Sequence, residues 1–232
     1  MRAVKLIQIP FSHNCIKVRV ALAAKALRYD LEDIRPMDRS EVIRISGQGL
    51  VPVLVDGEKA IADSTAILLY LDERYPDPPL VPKDAAERNL CLMLEDWADR
   101  AFMESSRRIA YYNITAVPGL VSKLFFPGET GLSARIKERI AINRVRKRFR
   151  FSAERYPKDA ADVRRAAALA VERIDGRAWL MESGPTVADI ALATMSAPLA
   201  ADRTLRDEPA VAGLLAWGAK LVPEDVAALY RR

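Results

Sequence analysis

Prolines stand at positions 76, 78, 79 and 82, four within seven residues. Each lacks a backbone N–H and fixes φ near about −65°, so this stretch can be neither a helix interior nor an inner strand. It divides the 232 residues into two unequal parts. Before it, short apolar runs of strand length alternate with short helical patterns. After it, nearly every segment repeats at helical spacing. Residues 76–83 therefore read as a linker, residues 1–75 as an α/β domain and residues 84–232 as an all-α domain.

The first part opens with an apolar run, Val4 to Ile9, that Pro10 interrupts. From Cys15 the pattern turns helical, with Val18, Ala21, Leu22 and Leu27 on one face. Ser12 and Asn14 are the candidate N-caps. A strand thus feeds a turn that presents polar groups at the positive end of a helix, a place that stabilises an anion. Ser12 and Cys15 stand in an S-x-x-C frame, the spacing of a redox C-x-x-C pair with its first Cys replaced by Ser. A hydroxyl donor and a helix N-terminus lower a thiol pKa, and a hundredfold gain in acidity corresponds to about 2.7 kcal/mol. The same residues also suit a plain cap and a buried apolar thiol.

Tyr29 to Ile34 reads as a second strand, which completes a βαβ unit, and Asp38 to Ile45 as a short helical or irregular segment. Leu50 to Val55 is a strand that ends in Asp56-Gly57, and Lys59 to Ala62 follows, a hairpin signal. Pro52 removes a ladder donor from that strand, which points to an edge position or a cis bond. With a cis bond the Val51 N–H and C=O are free to bond an extended peptide. Ser64 then caps the apolar helix that follows it. Its hydroxyl and the first amides form a second anion site, suited to a carboxylate, and Asp63 beside it can accept from an ammonium group. An ordinary cap accounts for these residues equally well.

Beyond the linker, a long helix is read from Asp84 to about Tyr112, with Leu90, Leu94, Trp97, Ala101 and Ile109 facing inward. A second runs from Leu132 to Tyr156, closed by Pro157, and a third from Asp159 to Ile174. Thr186 and Asp189 have capping-box spacing at the start of a fourth, a structural element with no chemistry of its own. Two more helices are expected at Pro209 to Leu221 and Glu224 to Tyr230.

Composition narrows the function. Two cysteines and a single histidine exclude a disulfide framework and zinc spacing, and no metal site is expected. No glycine-rich phosphate loop is present. A net charge of +5 favours anionic small molecules without requiring a nucleic acid. There is no apolar run of membrane-spanning length, and the N-terminal strand is too short for a signal peptide, so a cytoplasmic location is expected.

The order of these pieces resembles the glutathione S-transferase family across nearly the whole chain. That order is a strand, S-x-x-C at a helix start, V-P-V-L with a hairpin, D-S at a helix start, a proline linker and a helical half with G-P-T-V-A-D-I-A. The segment from Ser12 to Arg19 is similar to the catalytic segment of serine-type members, including bacterial, zeta-like and tau-like ones. The resemblance implies a thioredoxin-like N-terminal domain that binds glutathione as co-substrate. The all-helical C-terminal domain would supply the pocket for a small electrophile. It also implies a homodimer and a role in detoxification. Carried over residue by residue, Ser12 is the catalytic serine and Pro52 the cis-proline, with Val51 holding the peptide backbone and Asp63 and Ser64 the γ-glutamyl end.

Three positions depart from the family pattern. His13 stands where many relatives have Pro or Ser, and it is a candidate for polarising the thiol. Asp63 is shorter than the usual Glu or Gln. Leu50 replaces a Lys or Gln that serves the glycyl carboxylate, which leaves Arg35, Arg39 and Arg44 as sequence-near candidates. Two alternatives remain open: a thiol transferase that uses Cys15, and a non-catalytic interaction protein on the same fold. The basic run Arg144 to Arg150, interleaved with Phe149 and Phe151, gives the second some substance, although a charge run on a long helix is usually a solvated face.

Overall fold

The structure, a computed structural model, describes residues 4–222 and 224. Strands β1 (Val4–Gln8), β2 (Tyr29–Asp33), β3 (Val53–Asp56) and β4 (Lys59–Ala62) form one mixed sheet in the order β2-β1-β3-β4. β2 runs parallel to β1, with Leu6 opposite Leu31, while β3 pairs antiparallel to both β1 and β4. Helix α1 (His13–Ala24) makes the crossover between the parallel strands, α2 (Ser40–Ser46) precedes the hairpin, and α3 (Ser64–Arg74) follows it. This is a thioredoxin-like arrangement.

β3 is an inner strand, so Pro52 cannot be explained by an edge. The Val51–Pro52 bond is cis, and ladder pairing starts one residue later, at Val53. Asp77–Pro78 is a second cis bond, inside the proline-rich segment, that the sequence reading does not anticipate. That segment is tied down. Buried Lys25, at the end of α1, donates to the Asp72 carboxylate at 2.6 Å and to the Tyr75 and Pro78 carbonyls at 2.7 Å each. Asp72 also accepts from the Leu80 amide at 2.6 Å.

The second part consists of α4 (Ala85–Trp97), a π-helical turn (Ala98–Phe102), α5 (Met103–Ala116), α6 (Leu120–Phe125), α7 (Gly131–Phe149), α8 (Tyr156–Ile174), α9 (Val187–Ser196) and α10 (Pro209–Gly218). Pro157 does not close α7. It sits in the first turn of α8, where its missing N–H has no intrahelical partner to lose. α7 stops earlier, at Arg150, which takes the left-handed conformation (φ 54°). The helix expected over 224–230 lies outside the described residues.

The inward face of α4 is displaced by one residue from the sequence reading. Cys91, Glu95, Ala98 and Phe102 are buried, while Leu90, Met93 and Ala101 are exposed and Leu94 and Trp97 half-buried. The cause is polar. Glu95 turns inward to meet Lys17 of α1, itself fully buried. Lys17 also reaches the Asp99 carboxylate at 3.1 Å and the Thr65 hydroxyl at 3.2 Å, and Thr65 donates to Glu95 at 2.7 Å. A hydrophobicity pattern cannot reveal a face whose centre is a paired charge.

Every residue of α9 is buried. It packs on α1 from the first part and on α4, α5 and α10 from the second, so one hydrophobic core runs through both. The expected capping box is present. Asp189 accepts from the Thr186 amide at 2.8 Å and from its hydroxyl at 2.7 Å, and from the Leu180 amide at 2.7 Å. Burial raises the Asp189 pKa, against these hydrogen bonds, which lower it.

Two stability outcomes are expected from these contacts. Asp189→Ala leaves buried amides unpaired and costs about 2 kcal/mol or more, read as a shift in the urea midpoint. Lys17→Met strands the Glu95 charge and costs about 3–5 kcal/mol. The pair Lys17→Met with Glu95→Leu recovers more than half of that loss in the same measurement.

Candidate functional site

The candidate cleft lies where the turn after β1 meets α5, whose Arg107 charge acts on His13; the entry to β3 and the start of α3 carry the other candidate residues. Ser12 takes the N-cap position of α1 with an extended backbone (φ −76°, ψ 123°), yet its side chain makes no cap bond. Its hydroxyl is half-buried and lies at the positive end of the helix. Of the two candidate caps, the chain therefore uses the Ser12 position without using its side chain.

His13 is the first residue of α1. Burial pushes its pKa down to about 3, and the Arg107 charge adds to the shift. It is a neutral imidazole and a weak base at neutral pH, so the thiol-polarising role considered for it finds no support in its protonation. Cys15 is fully buried, and burial pushes its thiol up to about 11 in spite of opposing hydrogen bonds from the Ile9 backbone and the Ser12 side chain. A thiolate is the nucleophile in thiol exchange, and Cys15 is not one at neutral pH. Cys15 is a core group under the turn, and its burial weighs against the thiol-transferase alternative.

At the start of α3 the roles of two residues are exchanged relative to the sequence reading. Asp63 is the cap, its carboxylate accepting from the Ala66 amide at 3.0 Å. Its backbone holds φ 78° and ψ 128°, a costly conformation for a residue with a Cβ. Ser64, freed from capping, has a buried hydroxyl with no hydrogen-bond partner among the described residues. Buried polar groups are nearly always paired, so an orphan hydroxyl at a helix N-terminus marks a place for a ligand acceptor. The Val51 backbone lies just outside the ladder at the entry to β3.

Of the three arginines considered, Arg44 pairs with Glu41 on the surface and Arg35 is exposed. Arg39, at the N-cap of α2, is half-buried with a sealed, unbonded Nη1. Its charge acts on both Cys15 and Tyr111, so it faces the cleft.

From α5 come Arg107 and Tyr111. Trp97 and Arg100 lie on the outer face of α4 and its π-turn, in a groove with Asn89 and Met93. Met103 is buried in the core. The cleft wall is aromatic: Phe11 stacks on Phe125 with centroids 5.5 Å apart, and Tyr111 stacks on Phe149 at 4.6 Å and on Phe151 at 6.2 Å. The aromatics interleaved with the basic run thus face the protein. What the run presents to solvent is Arg144, Arg146, Lys147, Arg148 and Arg150. Sequence reasoning missed Phe149 and Phe151 as wall residues because their neighbours in the chain are charged.

Comparison with known proteins agrees with this geometry. Residues 6–79 match the family model described as glutathione S-transferase, N-terminal domain. A solved glutathione S-transferase from Rhodospirillum rubrum F11 is 26% identical, with a TM-score of 0.69, covering 96% of this chain and 90% of that one. Residues 6–79 thus carry a glutathione S-transferase N-terminal domain, and the chain as a whole shares the fold of that solved glutathione S-transferase. Glutathione S-transferase Z1 of Arabidopsis thaliana is 45% identical over 76 residues, 31% of this chain. The chain thus spans about a third of that relative's length, 34%. A beta-etherase from Sphingobium sp. strain SYK-6, 19% identical, shares the fold along 99% of both chains with a TM-score of 0.74.

The His13 shift has a consequence for acid stability. Its pKa in the folded chain lies far below the ordinary value of 6.5, so the unfolded chain binds more protons between about pH 6.5 and 3. Stability from this source is present at neutral pH and is lost as pH falls through that window. The melting temperature of His13→Gln is expected to fall less than that of the parent chain between pH 7 and pH 4, as measured by circular dichroism.

Proposed function

We propose that this chain is a glutathione-dependent transferase that activates the glutathione thiol for attack on a small electrophile. The observation that carries this reading is the buried Ser64 hydroxyl at the N-terminus of α3, unpartnered among the described residues, in a chain that also has a cis Val51–Pro52 bond before β3 and Ser12 at the N-cap of α1. Glutathione lies extended along Val51–Pro52. Its γ-glutamyl carboxylate takes the Ser64 hydroxyl and the first amides of α3. Its ammonium group takes the outer oxygen of Asp63, and its glycyl carboxylate takes Arg39.

The thiol then reaches the turn before α1. Ser12 donates a hydrogen bond to the thiolate, and the helix N-terminus adds its partial positive charge. The thiolate sulfur bonds to the electrophilic carbon, and the leaving group departs with its electron pair, or a double bond accepts the addition. Positioning supplies much of the acceleration, because both reactants are held by rigid elements. The partner in this reading is a second copy of the chain. The exposed apolar face of α4, with Leu90 and Met93 beside the half-buried Trp97, is a surface of the chemistry such a contact needs.

Calorimetric titration of glutathione tests the reading. Saturable binding is expected, weakened about tenfold in Ser64→Ala through loss of a hydrogen bond to a charged group. Ser12→Ala is expected to lower kcat/KM for conjugation by about a hundredfold while glutathione still binds. Absence of binding at millimolar glutathione would overturn it.

A further inference from the structure

Arg107 is a cation without an anion. It sits on α5 with its Nε sealed from solvent and bonded to nothing. No carboxylate among the described residues lies within ion-pair distance of it. Glu104, one turn earlier, is held by Arg108 at 3.0 Å, and Arg108 also takes Asp159 at 2.8 Å. Burial pushes the Arg107 pKa down, while the residue as a whole stays half-buried. His13, its neighbour, is neutral and offers no compensation.

Its surroundings are flat and aromatic. The guanidinium carbon lies 4.6 Å from the centroid of the Phe149 ring. Tyr111 stacks on that same ring. The ring face compensates part of the charge but fills none of the guanidinium's hydrogen-bonding positions. A stacked guanidinium is also held in one plane, which prepares it for a planar, two-oxygen acceptor. Arg39 approaches Tyr111 from the other domain, and with the glycyl carboxylate assigned to Arg39, Arg107 is left for a different anion.

We propose that Arg107 is the anion-binding group of the second-substrate pocket, and that this pocket selects planar electrophiles carrying a carboxylate. Their carboxylate rests on the Arg107 guanidinium, beside the aromatic cluster of Tyr111, Phe149 and Phe151. The inference rests on the glutathione reading of the adjoining site and adds the substrate class to it.

The test is a comparison of two conjugates, S-(carboxynitrophenyl)glutathione and S-(nitrophenyl)glutathione, titrated calorimetrically into the parent chain, Arg107→Gln and Arg107→Lys. In the parent chain the carboxylate conjugate is expected to bind about tenfold more tightly. The ratio should fall to near one in Arg107→Gln and be partly kept in Arg107→Lys, with circular dichroism confirming that both variants fold. Equal binding in the parent chain, a ratio that survives Arg107→Gln, or binding of glutathione with both conjugates refused would overturn the proposal. If glutathione itself does not bind, the transferase reading fails separately. Free nitrobenzoate against nitrobenzene, titrated without glutathione into the parent chain and Arg107→Gln, then decides the Arg107 inference by the same ratio.

Discussion

A helix buried on every side has no water for its first amides, and α9 is such a helix. The Thr186–Asp189 box meets that constraint from within, and Asp189 turns its second oxygen to the Leu180 amide, which fixes the chain that leads into the helix. The Val187 amide bonds the Leu80 carbonyl at 2.9 Å, so the proline-rich segment is anchored to the same helix start. Because α9 also packs on α1, the orientation of the turn that carries Ser12 depends on a helix more than 160 residues later in the chain. The box has no part in chemistry, and the site is still built on it.

The contacts between the first and second parts show how buried charges are paired away from the candidate site. Lys17 is enclosed by Glu95, Asp99 and Thr65, and Lys25 by Asp72 and two carbonyls. Arg108 is held by Glu104 and Asp159. Breaking any of these leaves a charge in a low-dielectric interior, so they specify one docking of the domains more than they add net stability. In the cleft the Ser64 hydroxyl, the Arg39 Nη1 and the Arg107 Nε end without partners.

Much of the site was legible because its parts are local. S-x-x-C after a strand, V-P-V before a hairpin and D-S before an apolar helix each lie within a few residues, where turn geometry and capping act. The finer assignments needed the surroundings. Asp63 and Ser64 are both good caps, and only the backbone at Asp63 shows which of them caps and which is left over. Cys15 and its frame suggested an activated thiol, but activation depends on burial, which the S-x-x-C spacing does not encode.

The sequence by itself determined the order of elements, the hairpin, the capping box and the resemblance to a family. All of these follow from dihedral preference, periodicity and short-range hydrogen bonding. Tertiary structure alone decided which face of α4 turns inward, because a buried Lys17–Glu95 pair outweighs the apolar pattern there. It alone decided that Phe149 and Phe151 turn inward beneath a basic helix surface, and that Arg107 meets them with no anion of its own. Desolvation and charge pairing arise between residues far apart in the chain, and a linear pattern holds no record of which will meet.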